Sequence, residues 1–181
     1  MIEIGRELII KASEGDMNSF EEIYRLSSGF VYNIALRIAN NAKDAEEITQ
    51  EVFIKVFKNL KSFSFRASFN TWVYRIAVNA AINFKKRASK EENKRVDYES
   101  RLNTELVDKG KDHASESLVK FLLSNLSPEH RACIVLREME GLSYEEISNV
   151  LRININTVRS RLKRARQKLV TLRKEVVRNE L

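Results

Sequence analysis

The part of the chain best equipped to bind another molecule lies near its C-terminus. Between Arg152 and Lys168 stand Arg152, Arg159, Arg161, Lys163, Arg164, Arg166 and Lys168, with no acidic residue among them. Their spacing is helical and splits into two stripes. Val158, Leu162, Ala165 and Leu169 fall on one side; Arg159, Ser160, Lys163, Arg164 and Gln167 fall on the other, with Thr157 leading in. A planar guanidinium suits guanine O6 and N7 together, whereas a lysine ammonium is a point charge matched to phosphate. A basic helix near a C-terminus is also what a solvated face or a membrane-surface helix looks like. Its context favours DNA. Ser143-Tyr144-Glu145-Glu146 reads as a capping box opening a short helix to Leu151, and Arg152-Ile153-Asn154 joins that helix to the basic one. Residues 143–169 therefore have the layout of a helix-turn-helix, whose second helix enters the major groove.

A second set of groups recurs at three- and four-residue intervals: Trp72, Arg75, Asn79, Asn83 and Lys86. Asn presents both a donor and an acceptor to a base edge, and Arg or Lys holds a phosphate backbone. The preceding segment, Phe63-Ser64-Phe65-Arg66-Ala67-Ser68-Phe69-Asn70, interleaves aromatic and basic residues, as stacking on unpaired bases requires. It equally describes a helix connection pinned by its Phe side chains in a core, and Trp72 is open to the same two readings. A third set is acidic: Asp44, Glu47, Gln50 and Glu51 lie on the side away from Ile48, Val52 and Val56. Carboxylates on a rigid helix steer and orient a basic partner, although an ordinary solvated face reads the same way. The formal charge is +7, but its segregation into one basic and one acidic region says more, since it suits a bridge between two partners.

Other chemistries are missing. No phosphate-cradling Gly-Lys loop, paired metal ligands, or Ser or Cys with a credible base is present, so neither catalysis, a metal nor a cofactor is expected. The single cysteine, Cys133, excludes an internal disulfide and sits in the apolar run Ala132 to Leu136, where it reads as a small buried hydrophobe. The longest apolar stretch, Phe30 to Ala39, is broken by Asn33 and Arg37, far short of the roughly 20 residues a spanning helix needs. The N-terminus lacks a signal-peptide pattern. A cytoplasmic protein with no membrane insertion is expected.

The elements that must position these groups are all helical. Five Gly and one Pro in 181 residues argue against strands and turns. Phe20, Ile23, Tyr24, Val31, Ile34, Ala35 and Ile38 mark one helix; Ala45, Ile48, Val52, Val56, Phe57 and Leu60 a second; Val73, Ile76, Ala77, Ala80 and Phe84 a third; and Leu8 to Ala12 a shorter one. Asp44 belongs to the start or first turn of the second. The spacing predicts two small helical domains, 1–88 and 115–181, joined by a charged, flexible linker, 89–114. In the second domain Leu118, Val119, Leu122 and Leu126 mark a helix, Ser127-Pro128-Glu129 starts the next, Gly141 ends it, and Asn154 caps the basic helix.

With these elements in place the sequence resembles a known family. Leu126-Ser127-Pro128-Glu129-His130-Arg131, then Gly141-Leu142-Ser143-Tyr144-Glu145-Glu146-Ile147, then Thr157 to Arg166, is similar to sigma region 4. Asp44 to Phe53 resembles sigma region 2.2, and Thr71-Trp72-Val73-Tyr74-Arg75-Ile76-Ala77-Val78-Asn79 resembles regions 2.3 to 2.4. The two matches, in this order and without room for region 1.1 or region 3, indicate an extracytoplasmic-function sigma factor of the sigma-70 family. The resemblance implies a transcription initiation factor, not an enzyme. It assigns Asp44, Glu47, Gln50 and Glu51 to the β′ clamp helices of core RNA polymerase, with the β flap as a further contact. It assigns Phe63, Arg66, Arg75, Asn79, Asn83 and Lys86 to the −10 element, including capture of an unpaired base. Thr157, Arg159, Ser160, Lys163, Arg164 and Gln167 fall to the −35 element. Promoter DNA and an anti-sigma factor are the other partners it implies. The chain departs from the family pattern at Arg66-Ala67-Ser68, where Gly and an acid are common, and at Arg152 and Asn156, where Gly is frequent.

Overall fold

The computed structural model describes residues 4–96 and 114–179. Among the described residues the fold is all-helical, and no helix is long and apolar enough to cross a membrane. The N-terminal domain comprises α1 (Arg6–Ser13), α2 (Met17–Ala39), α3 (Ala42–Asn59), a 3-10 turn (Leu60–Ser62) and α4 (Phe69–Val96). The C-terminal domain comprises α5 (Ala114–Ser124), α6 (Pro128–Ile134), a π-helical turn (Val135–Met139), α7 (Tyr144–Leu151) and α8 (Ile155–Asn179). The predicted linker is helical up to Val96, where α4 ends; its residues 97–113 lie outside the described residues.

Local chemistry sets the boundaries. Asp16 caps α2, accepting from the amides of Asn18 (3.3 Å) and Ser19 (3.2 Å). At the far end Asn40 takes a left-handed conformation (φ 61°) and Asn41 caps α3 by accepting from the Asp44 amide at 3.0 Å. Asp44 thus sits in the first turn of α3, beside the positive end of the dipole. Helices α2, α3 and α4 pack on one another through Ile23, Val31, Ile34, Ile38, Ile48, Val52, Val56, Val73, Ala77 and Val78, all essentially solvent-free. Each of the Val and Ile side chains among them contributes about 1.5–3 kcal/mol of transfer free energy.

In the C-terminal domain α6, α7 and α8 close over Cys133, Leu136, Ile147, Val158, Leu162 and Ala165. Cys133 is fully buried, and burial pushes its thiol up to about 11, so it is the inert hydrophobe the sequence indicated. The two domains touch. Helix α4 packs against α6 and α7, and α2 against α6.

The polar anchor of that contact is Arg131, only 5% exposed. Its Nη1 donates to the carbonyls of Ile38 (3.0 Å) and Ala39 (3.1 Å), and its Nη2 to those of Ser124 and Leu126, both at 3.2 Å. The last carbonyls of a helix have no partner within it. In α2 the Asn40 amide takes Leu36, and Arg131 takes the carbonyls of Ile38 and Ala39, placing a cation on the negative end of the dipole. It closes the end of α5 in the same way through Ser124.

Candidate nucleic-acid interface

The helix-turn-helix forms as its caps predict. The Ser143 hydroxyl accepts from the Glu146 amide at 3.2 Å while the Glu146 carboxylate accepts from the Ser143 amide at 2.7 Å, a complete capping box. Its backbone and side-chain bonds to Ser143 hold the Glu146 carboxyl below its ordinary pKa. The turn passes through Arg152 in a left-handed conformation (φ 53°), with the Ser148 hydroxyl donating to the Ile153 carbonyl at 2.6 Å. Asn154 then caps α8, accepting from the Asn156 amide at 2.8 Å.

On α8 the two stripes separate as expected. Val158, Leu162 and Ala165 are buried and Leu169 partly so, while Arg159, Ser160, Lys163, Arg164 and Gln167 are exposed and Thr157 is half-buried. Arg159 donates to the Asn156 side chain at 3.1 Å, which orients it at the N-terminal end of the helix. Arg166 differs from its neighbours, since it is paired with Glu138 of the π-helical turn at 2.6 Å. The positive field is felt nearby. Burial, then the charges of Arg161, Arg164 and Lys168, hold the His130 imidazole below its usual pKa, against the opposing pull of Glu129.

The segment 63–70 splits the two readings of its Phe residues. Phe69 is buried, Phe63 half-buried, and Phe65 exposed in a left-handed backbone conformation (φ 56°). Phe63 is the hub, with ring centroids 4.8 Å from Phe65, 5.5 Å from Phe69 and 5.2 Å from Trp72. The Arg6 guanidinium lies 4.7 Å over the Phe65 ring, a cation–π contact that ties α1 to the segment. Beside it is a cavity of about 380 Å³ lined in part by Arg6, Phe63, Phe65, Phe69 and Asn70. Arg66 is exposed. Nothing in the spacing of the sequence pointed to Arg6.

The polar face of α4 is present but covered in part. Asn83 and Lys86 are exposed, whereas Trp72, Arg75 and Asn79 are half-buried. The Asn79 amide donates to its own helix at the Arg75 carbonyl (2.7 Å) and across to the Val150 carbonyl of α7 (3.2 Å). Lys86 pairs with Glu129 of α6 at 2.7 Å.

On α3, Glu47 and Gln50 are exposed, but Asp44 and Glu51 are not free as the sequence suggested. Asp44 is paired with Lys85 at 3.0 Å and Glu51 with Arg87 at 2.9 Å, because the C-terminal half of α4 runs alongside, and Glu51 also pairs with Lys55 one turn further along α3 at 2.5 Å. Burial raises the pKa of the Glu51 carboxyl, but the bonds and charges of Lys55 and Arg87 outweigh it and lower the pKa overall. Ile54, which the sequence reading passed over, is 53% exposed, and Phe57, which it counted in the apolar pattern of this helix, is 45% exposed; both continue the Glu47–Gln50 stripe. The signal for Ile54 was an apolar type off the core stripe Ile48, Val52, Val56. Among the described residues no group of three or more His, Cys, Asp or Glu is placed to hold a metal.

Comparison with known proteins agrees with this architecture. The family model for sigma-70 region 2 matches residues 23–91, and that for sigma-70 region 4 matches residues 118–169. The ECF RNA polymerase sigma factor SigE of Mycolicibacterium smegmatis is 35% identical over 160 residues, 84% of this chain and 61% of that protein. The chain thus spans about three-fifths of that relative. The RNA polymerase sigma-H factor of Pseudomonas aeruginosa is 31% identical over 173 residues, covering 90% of each chain. In fold, the sigma factor RpoE solved in complex with the anti-sigma factor NepR from Bartonella quintana superposes with a TM-score of 0.65 at 22% identity, covering 87% of this chain and 98% of that one. The chain belongs to the extracytoplasmic-function sigma factors of the sigma-70 family, transcription initiation factors rather than enzymes.

Proposed function

We propose that this chain binds core RNA polymerase in the cytoplasm and directs it to promoters by reading a −35 element with α8 and a −10 element with α4 and segment 63–70. The observation that carries the reading is the division of α8 into a buried apolar stripe and an exposed stripe of Arg159, Ser160, Lys163, Arg164 and Gln167. A helix so divided is held rigidly by its own domain while it offers side chains to a groove. Arg159, at the N-terminal end, reads a base edge; Lys163 and Arg164 hold phosphates, and Thr157, Ser160 and Gln167 supply neutral hydrogen bonds.

At −10, Asn79, Asn83, Arg75 and Lys86 contact the strand. The cavity beside Phe63 and Phe65 receives an unpaired base, with Arg66 against its backbone. Stacking on the aromatic cluster replaces the base stacking lost on extrusion. The stripe of Glu47, Gln50, Ile54 and Phe57 docks on the β′ clamp helices, combining acidic steering with exposed apolar area, while Asp44 and Glu51 hold α3 against α4. The C-terminal domain contacts the β flap. An anti-sigma factor is the expected regulator, since the RpoE of similar fold was solved bound to one. Run-off transcription with purified core polymerase and fragmented genomic DNA tests the whole reading. Specific transcripts that require this protein are expected, and a transcript pattern unchanged by its addition would refute the proposal.

A further inference from the structure

Between the start of α4 and the turn that joins α7 to α8 lies a cleft of about 960 Å³, within the size range of small-molecule sites. Part of its wall is apolar, formed by Phe30, Val150 and Ile153, and the Phe30 ring stacks on Tyr74 with centroids 5.6 Å apart. Its polar groups divide by whether they are already partnered. The carboxylates are spent within the protein, Glu140 on Arg37 and Glu146 on the Ser143 amide. Ser68 and Thr71 bond to each other at 2.7 Å, and the Ser148 hydroxyl is given to the Ile153 carbonyl. What remains is a set of donors. Among the described residues the guanidiniums of Arg75 and Arg152 have neither an ion pair nor a hydrogen bond, and the Asn149 side chain has no partner. Tyr74 is only 7% exposed, and its hydroxyl has no hydrogen-bond partner there either.

Each of these groups is costly as it stands and would be relieved by an anion. Arg75 and Arg152 also line a neighbouring cavity of about 380 Å³, so the two cations share the wall between the cavities with no free carboxylate beside them. Like charges so placed repel, and an oxyanion between them turns that repulsion into attraction. Arg152 moreover holds its side chain at the cleft from a left-handed backbone (φ 53°), a conformation in which glycine would be free of strain. Burial, and then the charge of Glu140, push the Tyr74 pKa up against the opposing pull of Arg37, so the hydroxyl keeps its proton and has a hydrogen to donate. A buried donor without an acceptor is destabilising until one is supplied.

We propose that this cleft is a binding site for a small organic oxyanion, a phosphate or carboxylate carried on an apolar body. Arg75 and Arg152 bind the oxyanion, the Tyr74 hydroxyl and the Asn149 amide donate to its acceptors, and the body rests on Phe30, Val150 and Ile153. A bare inorganic ion would leave that apolar wall in water, and a neutral molecule would leave the two cations unpaired. The site differs from the cavity beside Phe63 and Phe65, because α7 and the turn into α8 supply much of its wall. It goes beyond the promoter reading and does not rest on it.

The test titrates the full chain with phenyl phosphate and with benzoate, the smallest probes that join each head group to an apolar ring. Inorganic phosphate and benzyl alcohol supply each half alone. Two-dimensional NMR follows the backbone amides and the arginine Nε–H signals, which locate the site as well as its affinity. At least one of the two ring-bearing anions should shift Thr71, Val150, Ile153 and the side chains of Arg75 and Arg152. It should bind roughly tenfold more tightly than inorganic phosphate, and benzyl alcohol should not bind. Arg152→Gly and Arg75→Gln should each weaken that binding by about tenfold or more, and Arg152→Lys by less, with circular dichroism checking that each variant stays helical. Tyr74→Phe should weaken binding by about threefold or more without lowering the melting temperature of the free protein, since it removes an unsatisfied hydroxyl. A merely structural role for that hydroxyl predicts the opposite pair of results. Shifts confined to α8 around Arg159, Lys163 and Arg164 would show only general attraction to the basic helix and overturn the site. So would equal binding by wild type and Arg152→Gly, or inorganic phosphate binding as tightly as both ring-bearing anions. None of these readouts involves DNA or polymerase, so failure here leaves the promoter reading untouched, and failure of run-off transcription leaves the cleft untouched.

Discussion

Replacing Arg131 with leucine tests how one side chain supports two domains. The substitution keeps apolar bulk in the core and removes the donors to Ile38, Ala39, Ser124 and Leu126. At the low end of the cost of a carbonyl left without a partner in a dry site, about 1 kcal/mol, the four sum to about 4 kcal/mol, divided equally between the domains. Two effects reduce it. Burial depresses the Arg131 pKa, which marks a desolvation cost that leucine does not carry, and water reaches the end of α2 if the domains part. The expected net loss is about 2–3 kcal/mol for the whole chain, of which about 1 kcal/mol is felt by the N-terminal domain. The two shares can be read separately because Trp72, the only tryptophan, lies on α4. Urea unfolding followed by far-UV circular dichroism reports both domains, while Trp72 fluorescence reports the N-terminal one. The Trp72 transition should move to lower urea, though by less than the dichroism signal of the C-terminal domain. An unmoved Trp72 transition would show that Arg131 serves its own domain only, and the reasoning about the end of α2 would fall with it.

Three other perturbations have defined outcomes. Arg159→Ala should weaken holoenzyme binding by about 1–3 kcal/mol and relax preference at one −35 position, whereas Lys168→Ala should weaken all sequences alike and flatten the salt dependence; equal discrimination by wild type and Arg159→Ala would exclude base reading. Glu47→Arg should reduce capture by core polymerase with no change in thermal unfolding, while Asp44→Arg should also lower the melting temperature because it breaks the pair with Lys85. The carboxyls of Asp16, Glu51, Glu129 and Glu146 all have folded pKa values below their ordinary ones, so each contributes stability that is present above the ordinary value and lost as pH falls through the lowered one. Thermal melts should therefore weaken below about pH 4.5, with a shallower acid slope in Glu51→Gln.

What could be read in advance was local. The caps Ser127, Ser143 and Asn154 and the two stripes of α8 depend on residues within a turn or two of one another, so spacing alone located them. What escaped was set by distant neighbours. Asp44 and Glu51 sit on the outer side of α3 by periodicity, yet Lys85 and Arg87 of α4 claim them. Arg131 reads as one more cation in a capped helix start, and its partner Ile38 is 93 residues earlier. The π-helical turn at Val135–Met139 follows from no pattern in its residues. The ring contacts around Phe63 were foreshadowed by composition, but which Phe is buried was decided by the left-handed backbone at Phe65 and by Arg6 from α1.

Arg152 has a further consequence for engineering the chain. A residue with a Cβ in the left-handed region is disfavoured by about 1 kcal/mol relative to glycine, which is free of that clash. At φ 53° the turn between α7 and α8 is thus one where selection for durability alone would remove the side chain. Arg152→Gly is accordingly expected to raise the melting temperature by whatever part of that relief exceeds glycine's extra unfolded-state entropy, and it also deletes a cation from the wall shared by the two domains. A search for hardier variants of this chain would therefore arrive early at a mutation that alters how its halves meet, so heat resistance is an unsafe proxy for retained performance at this turn.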